Sequence, residues 1–123
     1  MKISDAEWRV MRVVWRCRTA TAAEVIEQLV PETGWNHRTI RTMLGRLVDK
    51  GALAAKDEGN RYVYRAKVTE RRCVREEAQS FVEKVFDGDA AELLIHFVRN
   101  ETLPAEQIDE LKRLLDKKGE EEG

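Results

Sequence analysis

A run of arginine and threonine residues near position 40 is the part of the sequence best suited to binding a charged partner. From Arg38 to Arg46 the chain contains three arginines and no acidic residue. Steps of about 100° per residue on a helix place the polar side chains of this run opposite the apolar ones. The polar face carries Arg38, Thr39, Arg41, Thr42, Gly45 and Arg46. Arginine can donate two hydrogen bonds to guanine, and threonine can contact a phosphate, a base edge or a thymine methyl group. The run therefore predicts a helix that reads double-stranded DNA in the major groove.

An ordinary solvent-exposed helix face is the alternative interpretation of such a charged stripe. Three arginines within nine residues and without a counter-charge are costly in solvent alone, so the run favours an anionic partner. A second alternative is a protein-interaction module whose basic helix docks on an acidic partner. DNA binding is distinguished from it by a preferred sequence and by an affinity that falls steeply with salt.

A β-hairpin is predicted after this helix. Residues 61–65 alternate in character and are rich in aromatic and β-branched side chains, and a turn with Gly59 and Asn60 precedes them. Lys56, Arg61 and Arg65 flank the turn, so the hairpin can lay positive charge along a phosphate backbone or into a minor groove. We assign Arg61 to the DNA-binding residues.

Two helices are predicted ahead of the basic one. Ser4 with Glu7, and Thr21 with Glu24, have the spacing of capping boxes. Residues 19–21 are interpreted as a break between the two helices. The second helix is expected to stop near Pro31, because the residue before a proline is pushed out of the helical region.

The third, basic helix has clear end signals, and the order of elements predicts the fold. Asn36 can cap its first turn, it runs to Lys50, and Gly51 stands where a left-handed terminating residue is needed. Three helices followed by a hairpin give the element order of a winged helix-turn-helix, which we assign to residues 1–68. The fold class is thus mostly α with a small β-hairpin.

Residues 69–123 differ from this first part in charge and in pattern. They hold 9 basic and 15 acidic residues, against 13 basic and 8 acidic in residues 1–68. Three further helices are predicted, with more large apolar side chains than three short helices can bury against each other. We expect a helical homodimerisation domain at residues 69–118 and a frayed acidic tail at residues 119–123. The residues assigned to the dimer contact are Phe81, Val85, Leu94, Phe97, Ile108, Leu111 and Leu115.

Several other classes of function lack sequence support. The chain has no nucleophile-elbow, zinc-protease or phosphate-binding-loop motif, so we do not expect an enzyme. Cys17, Cys73, His37 and His96 stand alone, so we expect no metal site and no cofactor. No apolar stretch approaches the ~20 residues of a membrane span, and the first residues lack the pattern of a secretory signal. We therefore expect a cytoplasmic protein with no membrane partner.

Five short blocks and one longer stretch form a combined pattern. The blocks are Ile3-Ser4-Asp5-Ala6-Glu7-Trp8, Thr21-Ala22-Ala23-Glu24-Val25, Thr39-Ile40-Arg41-Thr42-Met43-Leu44, Lys50-Gly51-Ala52-Leu53 and Glu58-Gly59-Asn60-Arg61-Tyr62-Val63-Tyr64. The stretch is 103–115. Together they resemble the penicillinase repressor family (BlaI/MecI type) of winged-helix transcription regulators.

The resemblance implies a homodimeric repressor that binds palindromic operators upstream of resistance genes. It also implies a signal, because a membrane sensor-transducer protease often triggers cleavage of such repressors at an Asn-Phe bond in the dimerisation region. The matching position here is His96-Phe97, so the chain departs from the family at that bond. The copper-responsive branch of the family ends in paired cysteines, and residues 117–123 contain none. Copper sensing is therefore not expected.

Overall fold

Six helices and three strands follow one another in the computed structural model, which describes residues 1–122. They are α1 (Asp5–Cys17), β1 (Thr19–Thr21), α2 (Ala22–Thr33), α3 (His37–Asp49), β2 (Leu53–Asp57), β3 (Tyr62–Ala66), α4 (Glu70–Phe86), α5 (Ala90–Asn100) and α6 (Ala105–Glu122). The chain divides into two units, Met1–Glu76 and Glu77–Gly123. Helix α6 includes residues 119–122 of the predicted acidic tail, and Gly123 lies outside the described residues.

Helices α1 and α2 begin at the predicted capping boxes. The Ser4 hydroxyl accepts from the Glu7 N–H at 3.1 Å, and the Ser4 N–H donates to Glu7 Oε1 at 2.9 Å. Thr21 and Glu24 make the same reciprocal pair. Each box satisfies N–H groups that have no partner within the helix. Local side chains therefore define where both helices start.

The predicted end of α2 at Pro31 is wrong, because the helix continues to Thr33. Proline removes one backbone hydrogen bond from a helix, but here it stands in the last turn, where two donors beyond it bond to later carbonyls and close the helix. The Thr33 hydroxyl donates to the Leu29 carbonyl at 2.8 Å, and the Gly34 N–H donates to the Val30 carbonyl at 2.9 Å. Gly34 has φ 68°, a left-handed conformation that favours glycine and ends the helix.

The β-hairpin belongs to a three-stranded antiparallel sheet in the order β1-β3-β2. Residues 19–21, interpreted from the sequence as a break, form the edge strand β1. Ala20 on β1 and Ala55 on β2 both lie opposite Tyr64 on β3. The predicted hairpin is present, and the structure adds one short strand that ties it to the segment between α1 and α2. We call β2, β3 and their turn the wing (53–66).

One hydrophobic core lies between α1, α2, α3 and the sheet. Helix α3 contributes a buried stripe, and the tyrosine Tyr64 packs on the core from β3 while Tyr62 is exposed. The indole N–H of Trp15 donates to the Val68 carbonyl at 2.9 Å, which attaches the segment that follows the wing to α1. Cys73 at the start of α4 is buried in the same core. The core therefore includes the first turn of α4 as well as the winged helix.

The second unit has few buried side chains. An aromatic contact joins α4 to α5, since the ring centroids of Phe86 and His96 lie 6.1 Å apart. Neither α5 nor α6 contains a buried residue within its described span. Across residues 1–122, no helix combines the length and apolar character that crossing a membrane requires.

Candidate nucleic-acid interface

The apolar face of helix α3 packs on the core, and its polar face points to solvent. Ile40, Met43, Leu44 and Leu47 are buried in the core. The Asn36 side chain accepts from the Arg38 N–H at 2.7 Å and so fixes the start of the helix as predicted. Every residue of the predicted DNA-reading face on α3 is exposed: Arg38, Thr39, Arg41, Thr42, Gly45 and Arg46.

No ion pair among the described residues neutralises the arginines of this face. Among residues 1–122, none of the three arginines Arg38, Arg41 and Arg46 takes part in an ion pair. By contrast, Arg72 on α4 pairs with Glu76 at 3.0 Å. The guanidinium groups of α3 are therefore available to an external anion.

A shallow depression lies on each side of the polar face of α3. The first depression joins α3 to the start of α1 and is lined by Ser4, Ala6, Arg38, Thr39, Thr42, Met43 and Arg46. The second joins α3 to the start of α2 and to the wing and is lined by Thr21, Ala22, Ala23, Arg41, Asn60, Arg61, Tyr62 and Tyr64. The structure thus places Arg61 of the wing in the same depression as Arg41.

The second depression has several features that suit a phosphate group. The first-turn N–H groups of a helix lack intrahelical partners and favour a nearby anion, and Ala22 and Ala23 occupy that turn of α2. Arg41 and Arg61 add two positive charges to the same depression. A nucleic-acid backbone that passes here would meet both kinds of group.

The sequence placed Glu24 in a capping box but did not show that it lies near Arg61 of this depression. The N–H and hydroxyl of Thr21 lower the pKa of the Glu24 carboxyl, and the positive charge of Arg61 lowers it further. Arg61 therefore lies within electrostatic reach of a carboxylate at the start of α2. The two residues are 37 positions apart, so no local pattern in the sequence could have paired them.

A second missed feature joins the start of α1 to the end of α3. Lys50 donates hydrogen bonds to Glu7 Oε1 at 2.5 Å and to the Lys2 carbonyl at 2.9 Å. Glu7 is only 3% exposed. Burial raises the pKa of its carboxyl, but hydrogen bonds from Lys50 and Ser4 outweigh this effect and leave the pKa below its ordinary value.

The residues assigned to the dimer contact and to cleavage lie in the second unit. Six of the seven dimer residues are 36% to 54% exposed in the single chain, and the seventh, Leu111, is partly buried. The His96-Phe97 bond lies within α5, and the His96 ring packs on Phe97 at 5.6 Å between centroids. The Asn100 side chain donates to the His96 carbonyl at 2.8 Å.

The family model described as penicillinase repressor matches residues 3–117. The chain belongs to the penicillinase repressor family. The resemblance found in the sequence is therefore confirmed, and so is the predicted winged-helix fold followed by a helical region. The family model is described as a repressor, and the two relatives named below are a repressor and a regulatory protein.

Two relatives and one solved structure illustrate the similarity. The penicillinase repressor of Bacillus licheniformis is 36% identical over 115 residues, which cover 94% of this chain and 90% of that protein. The methicillin resistance regulatory protein MecI of Staphylococcus aureus (strain N315) is 34% identical over 117 residues, 95% of each chain. The solution structure of monomeric Bacillus licheniformis BlaI in complex with the blaP half-operator is 43% identical, with a TM-score of 0.52, and the match covers 57% of this chain and 85% of that one.

Proposed function

We propose that this chain, a DNA-binding transcriptional repressor by its family, acts as a homodimer on a palindromic operator of a resistance or stress operon. The observation that carries the proposal is the unneutralised basic face of α3, with a depression on each side of it. The BlaI relative was solved with a half-operator, and it matches the winged-helix part of this chain at 43% identity. That likeness supports an operator as the anionic partner.

In this proposal α3 enters the major groove, whose width of about 12 Å admits a helix. The residues that address the groove are Arg38, Thr39, Arg41, Thr42 and Arg46. Arg61 contacts the sugar-phosphate backbone from the wing, next to the start of α2. Arginine side chains supply base recognition, and the backbone contacts set the orientation of the domain on the duplex.

The homodimer part of the proposal rests on the second unit. Exposed apolar side chains on α4, α5 and α6 cost free energy in water, and a twofold contact buries the same patch on both copies. Two winged-helix domains then reach two half-sites, whose centres lie about 10 base pairs, or a multiple of this, apart. The residues proposed for this contact are Phe81, Val85, Leu94, Phe97, Ile108, Leu111 and Leu115.

Release of the operator would follow from loss of the dimer contact. A cut at His96-Phe97 by a sensor-transducer protease would separate Ile108, Leu111 and Leu115 from the DNA-binding domain. A monomer has one winged helix and therefore loses the second half-site. Because this bond is not Asn-Phe, cleavage is tested separately by mapping the new terminus after induction, which we expect at or beside His96-Phe97.

The deciding experiment is selection of bound sequences from a random pool of duplexes, followed by titration of the selected duplex at several salt concentrations. We expect a palindromic consensus and a steep linear fall of the logarithm of affinity with the logarithm of salt. Binding at low salt only, with no consensus, would contradict the proposal. That outcome would favour a protein-interaction module that docks an acidic partner.

A further inference from the structure

Nothing among the described residues 1–122 requires a glycine at position 45. It lies inside α3, is exposed, and has a helical backbone conformation rather than a positive φ. A Cβ atom added at this position would meet nothing within 4 Å. The glycines at 34, 51, 59 and 88 differ, because each has a positive φ that an L-residue rarely adopts.

This glycine weakens the helix that the proposed function depends on. Glycine in a helix interior is less stable than alanine, because it loses more backbone freedom on folding. The other parts of α3 favour the helix, with a capped start and a buried apolar stripe. Since an alanine methyl group would fit without a clash inside the protein, the requirement for a bare Cα points to something outside it.

The surroundings of Gly45 indicate where that partner lies. One helical turn earlier are Arg41 and Thr42, and Arg46 follows directly, so the bare Cα lies among side chains assigned to the major groove. A helix in a groove makes its closest approach along the middle of its outer face. A missing side chain there lets the backbone approach the base edges.

The chemistry of the contact restricts which group of the DNA can lie against Gly45. Gly45 offers no polar side chain, and the N–H and C=O groups of an inner helical residue are used within the helix. The contact must therefore be apolar. The C5 methyl group of thymine is the apolar group that base pairs present in the major groove.

We infer that Gly45 determines specificity by packing its Cα against the methyl group of one thymine in each half-site. The inference rests on the proposed function. It adds a preference for thymine that the side chains of α3 do not predict. An alanine at position 45 would place its own methyl group where the thymine methyl group lies.

The test removes one methyl group from the DNA and adds one to the protein, separately and together. Each thymine of the selected operator is replaced in turn by deoxyuridine, which lacks only the C5 methyl group, and wild type and Gly45→Ala are titrated on every duplex. We expect wild type to lose about 4-fold in affinity at one thymine, the worth of one buried methyl group. Gly45→Ala should bind the thymine operator about 10-fold more weakly and regain most of the loss on the duplex with uracil at that same position.

Two measurements separate this effect from a change in folding. Gly45→Ala should raise the melting temperature by about 3 °C, so weaker binding cannot result from a destabilised helix. Gly119→Ala is the matched control, because Gly119 is also helical and a Cβ there also meets nothing within 4 Å. It should leave operator affinity unchanged.

The outcomes that overturn the inference differ from those that overturn the proposed function. Equal binding of wild type and Gly45→Ala to the thymine operator would remove Gly45 from the interface and leave the repressor proposal standing. A loss that no uracil substitution relieves would place the crowding at the sugar-phosphate backbone and overturn the thymine contact. Failure of wild type to select any sequence would overturn the proposed function and the inference together.

Discussion

Lys50 at the end of α3 reaches across to the buried carboxylate of Glu7 in the first turn of α1, with its Nζ atom 2.5 Å from Glu7 Oε1. The same carboxylate accepts the N–H of Ser4 and so takes part in the capping box of α1. This pair ties the end of the basic helix to the start of α1, which borders one of the two depressions. The position of α3 therefore depends on a contact between residues 43 positions apart in the chain.

Replacing Lys50 by alanine should destabilise the protein by about 1–3 kcal/mol, because it leaves the buried Glu7 carboxylate without its charged partner. The value lies below that of a fully buried pair because Lys50 is partly exposed. Urea denaturation measures the change. Lys118→Ala removes the exposed pair with Glu122 and is the control, for which we expect no measurable change. Equal stability of Lys50→Ala and wild type would contradict the structural role of the pair.

The same carboxylate predicts how stability depends on pH. The folded protein lowers the pKa of Glu7, so its contribution is fully present above the unfolded pKa, near 4.5, and is lost as the pH falls through the lower folded pKa. We expect the free energy of unfolding to fall below about pH 4.5 less steeply in Glu7→Gln than in wild type. Thermal unfolding from pH 6 to pH 3 measures both slopes. Identical slopes would show that Glu7 does not titrate with folding.

Arg46→Ala should lose discrimination at one base pair of the operator, at a cost of about 1–3 kcal/mol there. The reason is that the proposed contact is a forked hydrogen bond to guanine. Titration against the operator and its single-base variants measures the change. Arg12→Ala is the matched control, since Arg12 is an exposed arginine of α1 outside both depressions. An equal loss on all sequences would instead make Arg46 a phosphate contact.

Arg61→Gln should weaken binding by a similar factor on operator and non-operator duplexes. A phosphate contact carries no base information, and its loss reduces the slope of log affinity against log salt by about 1. Salt titrations of wild type and variant provide both quantities. A change of base preference without a change of slope would show that the wing reads bases and does not bind the backbone.

Leu111→Asp should shift the protein from dimer to monomer and weaken operator binding, because a charge in an apolar contact must be desolvated. Sedimentation at micromolar concentration measures the assembly state. Gln107→Asp adds the same charge one turn earlier on α6 at an exposed polar position and should remain dimeric. A dimeric Leu111→Asp protein would place the interface elsewhere.

The sequence by itself determined the features that depend on residues within one or two turns of each other. Such features are the capping boxes at Ser4 and Thr21 and the cap at Asn36. Gly51 just after α3 is another, with a left-handed φ of 84°. Each acts over a few positions, so the spacing of residues was sufficient to predict it. The apolar period of α3 also showed which of its faces is exposed. The rule for Pro31 failed because the Thr33 hydroxyl and the left-handed Gly34, two and three residues further on, complete the last turn of α2.

Only the tertiary structure decided which distant residues meet. Strand β1 is three residues long, too short for a pattern of its own, and exists because β3 pairs with it. Arg41 and Arg61 line one depression because strand pairing and helix packing bring the wing beside α3. The pair of Glu7 and Lys50 depends on how α1 crosses α3. Such contacts follow from packing angles and strand register, which are properties of the assembled core and not of any local period.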